Sequence, residues 1–431
     1  MGAIAEHAKK AYQIKYVRAY LAPRNSDNTY DNFVNVSRYV IDSKIGQSKK
    51  SIDTNDFDIG NYEEFNISLA FDNEDAKFYD DRGFFEGKII NRSKVRLVAG
   101  YHDVENPTSI DSEVTFEGII DDRGTAIDGE RDEAKFTVLS YSSIINVLRA
   151  DPGAVTNGQS FSTAFYNLLN RSEITSLLTI DLANLNPKID LTIDNAEWFS
   201  GKQLKQAINQ LLLASNSIIK IVDNTLYITG REESATVRFQ FYGKGSSRPA
   251  NVIKIKNLHS GVKRIVTRVQ VNDTIIDADN DVLDRYGAFL KQLDLSFMND
   301  SAKISEIANS ILDEFSYPKT EFEIETDFIG NEVELLDMVT LDNLGTLQDS
   351  EPAIYGRAVY GTSTYVKRKG GVIIKPVEGF KVLSIQHDYR RYVTTLKVRS
   401  IGNRPFDSNA GYRNPIYGQA VYGLSRYANV S

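Results

Sequence analysis

The chain of 431 residues contains no cysteine, one tryptophan and three methionines. Without cysteine it has no disulfide, no thiolate zinc site, no iron–sulfur cluster and no cysteine nucleophile. The absence of cysteine therefore excludes several classes of enzyme. It also makes the chain indifferent to the redox state of its compartment.

Long apolar runs are also missing. No stretch approaches the roughly 20 consecutive apolar residues of a membrane span, and residues 1–10 lack the apolar centre of a signal peptide. We therefore expect no membrane span and synthesis in the cytoplasm.

A basic excess is absent as well. The chain has 50 basic and 58 acidic residues, which gives a net charge of −8. Proteins that bind a nucleic-acid duplex usually carry a basic surplus that displaces counterions from the phosphates. Nucleic acid is therefore not expected to be a main partner.

Signals for catalysis or metal binding are weak. The four histidines are too far apart in sequence to form a helical metal pair; they are His7, His102, His259 and His387. We expect His387 to lie at the surface or at a barrel edge. No Gly-x-Ser-x-Gly elbow is present. We expect no enzyme activity, no catalytic residue, no cofactor-binding residue, no metal site and no cofactor.

Two loops resemble ligand-binding motifs only in part. Gly356 to Ser363 has the spacing of a phosphate loop but lacks its lysine. Asp277-x-Asp279-x-Asp281 opens like a calcium loop, but the sixth position, where that loop has a glycine, is valine. A solvated turn is the better interpretation of the aspartates.

Two acidic stretches, Asp121-Asp122 and residues 128–133, leave a hydrolase as an alternative. Paired carboxylates perform glycosidase chemistry only across a sugar-sized cleft. Acidic turns are ordinary on a protein of net negative charge.

What the chain has in quantity is aromatic residues, 23 tyrosines and 21 phenylalanines, which suit pleated, half-buried strands. Alternation of polar and apolar residues with a period of two predicts strands. It is found over 15–21, 65–69, 94–98, 114–120 and 135–139. A barrel or a sandwich is the natural way to close such a set of strands.

Helical spacing appears in the middle of the chain. Short helices are predicted at 141–149 and 161–170, and a firmer one at 203–214, followed by a hairpin over 217–229. Strands are predicted at 251–256 and 262–271, and then a strong helix that runs to Phe315 with Asp300 or Ser301 as its cap.

The last part returns to strands, which are predicted at 321–328, 332–341, 371–375, 380–387 and 392–400. The order of strands near the end echoes that of residues 94–139. The chain is therefore predicted to be α+β and mostly β, with two similar small β-barrels interleaved with small α/β domains.

The predicted domains follow from these changes of pattern. They are a first barrel at 1–140, a small α/β domain at 141–235, a second small α/β domain with the long helix at 236–318, second-barrel strands at 319–402, and a C-terminal extension at 403–431.

A sharp internal repeat involves Tyr-Gly pairs. Residues 354–365 match residues 416–427 at nine of twelve positions, and glycine beside a ring lets backbones approach. Either the repeats pack internally or they dock a partner chain. The candidate docking residues are Tyr355, Gly356, Tyr360, Gly361, Tyr365, Tyr417, Gly418, Tyr422, Gly423 and Tyr427.

The order of elements resembles the central hub proteins of phage-type tails, the tail or baseplate hub family, and of related injection machines. Four stretches carry the resemblance: Val114 to Asp122; Asp194 to Gly201 with the helix and hairpin that follow; Val262 to Val269 with Arg285-Tyr286-Gly287; and the helix to Phe315 with the strands up to Val398. Leu336 replaces the glycine expected before Asp337.

The resemblance implies a structural protein of the virion tail, at the tail tip or baseplate. Such hubs form homotrimeric rings of pseudo-sixfold symmetry that join the tail tube or a distal tail protein to a central fibre or spike. DNA passes through them as cargo. Because only residues 403–431 follow the shared region, we expect no peptidase or lysozyme-like extension. The alternative is a carbohydrate- or receptor-binding module of a virion, in which tyrosines stack on sugar rings.

Overall fold

The computed structural model describes residues 13–52, 66–79, 81–103, 110–129, 132–231, 236–243, 251–258, 265–317, 319, 321–342 and 379–401. The strands of this part are β1 (Gln13–Arg24), β2 (Val34–Asn35), β3 (Gln47–Ser51), β4 (Asn66–Asp72), β5 (Ile89–Asp103), β6 (Ile110–Asp128), β7 (Glu133–Ser140), β8 (Thr179–Asn186), β9 (Ser217–Val222), β10 (Thr225–Gly230), β11 (Val237–Tyr242), β12 (Val252–Leu258), β13 (Arg268–Val271), β14 (Thr274–Asp277), β15 (Leu290–Leu293), β16 (Glu321–Asp327), β17 (Met338–Asp342), β18 (Gly379–Asp388) and β19 (Val393–Ser400).

The α-helices are α1 (Phe161–Leu169), α2 (Ser172–Thr175), α3 (Leu204–Ala214), α4 (Asn280–Tyr286) and α5 (Ser301–Phe315). Short 3-10 helices lie at Ser37–Tyr39, Asp42–Lys44, Gly83–Phe85, Tyr141–Val147 and Ala196–Phe199. None of the helices in the described ranges is long and apolar enough to cross a membrane.

The first barrel is a sheet in the order β2-β1-β5-β6-β7-β4 with antiparallel neighbours. Residues 36–41 join its two edges. The Val36 amide donates a hydrogen bond to Ala19 of β1, and the Ile41 amide donates one to Ala70 of β4, both at 2.9 Å. Along β7 half-buried and buried residues alternate, as period-two patterning requires.

The second barrel is a sheet in the order β11-β17-β18-β19-β16-β12. Its edges approach each other where the Asn251 amide donates to the Tyr242 carbonyl at 3.0 Å. Aromatic and aliphatic side chains fill its core, among them Phe241, Phe322 and Phe380.

The two barrels place corresponding strands in the same order. The sheet order β1-β5-β6-β7-β4 of the first matches β11-β17-β18-β19-β16 of the second, and the strands occur in the same order along the chain. One difference is that β1 is antiparallel to β5 whereas β11 is parallel to β17. The prediction of a mostly β, α+β chain with two similar small barrels is confirmed.

The α/β body, residues 141–231 and 265–317, is interrupted in sequence by β11 and β12 of the second barrel. It contains two three-stranded sheets, β8-β10-β9 and β14-β13-β15. Both sheets contribute to one apolar core together with α1, α3 and α5. The two small α/β units therefore share a core, because the apolar stripes of their helices are buried together.

The structure differs from the sequence predictions at several points. Strands β11 and β12 pair in the second barrel, although the predicted second α/β domain began at 236; the reason is that long-range pairing, not proximity in sequence, decides sheet membership. The strand predicted at 332–341 begins only at Met338, since residues 331–337 form turns and Leu336 has a φ of 66°. Of the strand predicted at 262–271, the structure describes residues 265–271, and within these the regular pairing is that of β13. The other domain limits stay predictions.

Candidate assembly interface

The Tyr-Gly repeats lie outside the described residues. This holds for every candidate docking residue named above, from Tyr355 to Tyr365 and from Tyr417 to Tyr427. Their role as docking elements stays a prediction. The interfaces that the structure describes are those that join the units of the chain.

The second barrel docks on the first through a turn of four residues, 389–392, between β18 and β19. Tyr392 inserts its ring into the core of the first barrel. Its hydroxyl accepts a hydrogen bond from the Gly100 amide at 2.8 Å and donates to the Tyr16 carbonyl at 3.1 Å. Burial raises the pKa of Tyr392 well above its usual range. The phenol therefore stays neutral and serves as a fixed anchor.

Aromatic packing surrounds this anchor. The ring of Phe328 stacks on that of Tyr392 with centroids 4.5 Å apart, and Tyr101 meets it edge-on at 5.0 Å. The Tyr389 hydroxyl lies 3.1 Å from the hydroxyl of Thr115 and 3.2 Å from that of Ser48. The turn thus combines ring packing with satisfied polar groups, as interior contacts require.

A second contact joins the same barrels. The side-chain amide of Asn331 donates to the Val114 carbonyl at 2.6 Å, and its backbone amide donates to Glu113. Burial raises the pKa of Glu113. The start of β6 is therefore held against the loop that follows β16.

One strand of the first half also belongs to the second barrel. Strand β3 pairs antiparallel with β18, from Ser51 opposite Ser384 to Gln47 opposite Asp388. Lys50 forms an ion pair with Glu334 at 3.3 Å. The two sheets stay separate, but this strand ties them together.

A polar cluster joins the first barrel to the α/β body. Tyr141 donates to Glu117 at 2.6 Å, Asn224 donates to it at 3.1 Å, and Arg96 pairs with it at 2.6 Å. Burial, and then the charge of Glu117, raise the pKa of Tyr141. Glu117 therefore fixes β6 against both Tyr141 and the β9–β10 hairpin.

A buried ion cluster joins the second barrel to the α/β body. Glu314 of α5 lies 3.2 Å from Arg231 and 3.0 Å from Lys381 of β18. The Arg231 side chain is fully buried, and Lys381 also donates to the Arg231 carbonyl at 3.1 Å. Burial alone would raise the pKa of Glu314, but the two cations outweigh it and hold that pKa far below its usual range.

Of the four histidines considered for chemistry, the structure describes His102 and His387. His387 is buried in β18, so the expectation of a surface position was wrong; its ring packs 5.2 Å from Phe328, and burial holds its pKa at about 3. Its Nδ1 lies 3.1 Å from the Thr394 hydroxyl. His102 is half-buried in β5, and His7 and His259 lie outside the described residues.

The carboxylates considered for hydrolysis or calcium binding sit apart or in ion pairs. Asp121 pairs with Arg123 at 3.0 Å, and Asp277 pairs with Arg268. Asp279 precedes α4 and Asp281 lies in its first turn. In the part of the chain that the structure describes, no group of three or more acidic or histidine side chains is placed to hold a metal.

Sequence reasoning did not single out the residues that join the units. Tyr389 and Tyr392 are the first and last residues of a turn in a hairpin whose strands were predicted, so aromatic residues in a short turn were the available signal. Glu314, Arg231 and Lys381 gave no signal, because they are far apart in sequence and each looks like an ordinary surface charge.

Comparison with known proteins supports the fold. No protein-family model matches the chain, and no curated protein matches it in sequence. Among solved structures, a tail protein from Neisseria meningitidis MC58 is similar with a TM-score of 0.53 and 9% identity, covering 90% of this chain and 96% of the other. The 43 kDa tail protein of prophage MuSo2 from Shewanella oneidensis is similar with a TM-score of 0.50 and 10% identity, covering 89% of this chain and 97% of the other.

Similarity at such low identity, over nearly the whole of each chain, concerns the fold. The chain therefore has the fold of these phage tail proteins, and the resemblance noted in the sequence is confirmed at that level.

Proposed function

We propose that the chain is a structural subunit of a phage-type tail, located in the virion tail at the tail tip or baseplate. Three copies form a ring that joins the sixfold tail tube, or a distal tail protein, to a threefold central fibre or spike. The ring leaves a channel through which DNA passes as cargo. The role involves assembly and not catalysis.

One observation carries this proposal: a single chain contains two barrels with the same strand order, docked side by side. Three such chains present six similar barrels, so a threefold ring offers six comparable surfaces to a sixfold tube. Fixed docking within the chain supports the proposal because the two barrels keep one relative orientation.

The charges are compatible with this role. The net charge of −8 disfavours tight binding of phosphates, which suits a channel that DNA must traverse. The ion pairs of Asp121 and Asp277 with neighbouring arginines support a structural role for these carboxylates.

Sedimentation equilibrium of the purified chain tests the proposal. We expect a particle of three times the chain mass of 48.4 kDa, and a ring at the end of the tail tube in electron micrographs of particles. A strict monomer, both in solution and within assembled particles, would overturn the proposal.

The alternative, a carbohydrate- or receptor-binding module, rests on the repeated tyrosines of the sequence. Glycan-array binding that is lost in Tyr360→Ala and Tyr422→Ala would favour it. Absence of binding to any glycan would favour the hub.

A further inference from the structure

We infer that the two barrels of one chain form a single rigid unit, so that any widening of the ring as DNA passes takes place between copies. The second half of this inference rests on the proposed ring. The first half rests on the chain alone, in which the two barrels exchange parts of their cores.

Two domains of one chain move relative to each other by default, unless their interface is large and apolar. Hinges are a few residues that absorb large changes of φ and ψ. A hinge between the barrels would therefore need a connection with few packed side chains. At three places the described chain passes from the core of one barrel to that of the other, and each place is packed on both sides.

The first crossing contains strand β3. Ile45, before the strand, belongs to the core of the first barrel, and Ile52, after it, belongs to the core of the second. The Gly46 amide donates to the Ser68 carbonyl of β4 at 2.8 Å, and the Ile52 amide donates to the Leu383 carbonyl of β18 at 3.0 Å. The two ends of the crossing are thus hydrogen-bonded to different barrels.

The second crossing is a single peptide bond after β16. Phe328 is buried in the core of the first barrel, whereas the next residue, Ile329, is buried in the core of the second. The Ile329 amide donates to the hydroxyl of Thr394 in β19 at 3.2 Å. A rotation at this bond would withdraw one of the two side chains from its core.

The third crossing is the turn of residues 389–392. It leaves β18 and returns to β19, both in the second barrel, yet Tyr389 and Tyr392 belong to the core of the first. Their hydroxyls meet the Thr115 hydroxyl at 3.1 Å and the Gly100 amide at 2.8 Å, both in the first barrel. This crossing is therefore held by ring packing and by hydrogen bonds.

The exchange is reciprocal, so opening the joint would damage both barrels. It would expose Phe328, Tyr389 and Tyr392 on one side and Ile52 on the other, and each of these is at most 3% exposed. Burial of apolar surface is the main favourable term in folding, and the net stability of a domain is small. We therefore expect the two barrels to lose their structure together. In a ring of three chains this leaves the contacts between copies as the ones that can move.

A cross-link within the chain tests the joint in assembled particles. The Lys15 side chain of β1 spans the joint, since its Nζ donates to the Arg391 carbonyl at 3.4 Å, and both residues are exposed. The chain has no cysteine of its own. In the double variant Lys15→Cys with Arg391→Cys, a short bis-maleimide that a reductant can cleave should therefore join the first barrel to the second.

Particles with this cross-link should infect host cells as efficiently as the same particles after cleavage of the linker. The single variant Lys15→Cys, treated with the same reagent, is the matched control for chemical modification. Infection that is blocked until the linker is cleaved would overturn the inference, because the joint would then have to open during function.

Hydrogen exchange of the purified chain in rising urea tests the rigid unit without the ring. Amides of β5 and β19 should become exchangeable at the same urea concentration. Ile52→Ala, which truncates a side chain in the second barrel only, should lower that concentration equally for both strands, whereas Leu182→Ala, at a position 45% exposed, should leave it unchanged. Separate transitions in the unaltered chain, or a loss confined to β19, would overturn the inference. A unaltered chain that is a monomer in solution and in particles would instead remove the proposed ring and leave the rigid unit to this measurement.

Discussion

The two barrels share a strand order, but they contact the α/β body through different kinds of side chain. The first barrel meets the α/β body through Glu117 and hydrogen bonds from Tyr141 and Asn224. The second meets it through the buried ions Glu314 and Lys381 with Arg231. Sheet topology is thus retained while the residues at the junctions are not.

The hairpin turns differ in the same way. Residues 389–392 pack aromatic rings into the neighbouring barrel, but the corresponding turn of the first barrel exposes Gly129 and Asp132. Corresponding hairpins therefore differ in burial, because side chains and not strand order determine what each turn contacts. Four predictions test this comparison.

The largest effect is expected at the ion cluster of the second barrel. Glu314→Ala leaves Arg231 and Lys381 buried without their carboxylate, and breaking a buried ion pair costs about 3–5 kcal/mol. The free energy of unfolding, measured by urea denaturation, should fall by this amount. A loss below about 1 kcal/mol would show that the cluster does not hold the barrel to the α/β body.

The aromatic turn should be the next most sensitive. Tyr392→Phe keeps the ring but removes the hydroxyl that meets Gly100 and Tyr16, which leaves buried backbone groups unpaired at a cost of about 1–3 kcal/mol. Asp132→Asn at the corresponding exposed position is the matched control and should change the monomer's unfolding free energy by less than about 0.5 kcal/mol. Equal losses would contradict the difference between the turns.

The pH dependence of the unfolding free energy tests another pair of corresponding residues, His387 in the second barrel and Ile127 in the first. Each is the last but one residue of its strand. Burial, with a smaller contribution from the charge of Lys50, holds the pKa of His387 at about 3, against 6.5 when unperturbed. As pH falls below 6.5 the unfolded chain takes up a proton that the folded chain does not.

The unfolding free energy should therefore fall by about 1.4 kcal/mol for each pH unit below 6.5. Above that pH the stability that depends on a neutral His387 is fully present. His387→Ile gives the second barrel the residue of the first and should remove this slope between pH 6.5 and 5, in denaturation curves at each pH. An unchanged slope would assign it to other groups.

The smallest effect is expected at the exposed ion pair between Arg391 and Glu325, which are 2.8 Å apart with the arginine 57% exposed. Glu325→Ala should cost about 0–1 kcal/mol, since solvent screens such pairs. It is also the matched control for Glu314→Ala, as both remove a glutamate from an arginine. A loss similar to that of Glu314→Ala would remove the distinction between buried and exposed pairs.

Much of the local structure followed from sequence patterns. The helix at Ser301–Phe315 was predicted from its apolar stripe, and Asp300 caps it by accepting from the Ala302 amide at 2.8 Å. The helix at Leu204–Ala214 and the hairpin of β9 and β10 were predicted as well. Strands such as β3 and β8 were missed, because few of their residues alternate clearly.

The sequence by itself determined the elements with strong periodicity and the presence of two similar strand groups, since such patterns depend on neighbours a few residues apart. Only the tertiary structure decided that β3, β11 and β12 join the second barrel and that Glu314 meets Arg231 and Lys381. The physical reason is range: pairing edges and buried charges are selected by packing between segments that can be hundreds of residues apart, and no local pattern encodes that choice.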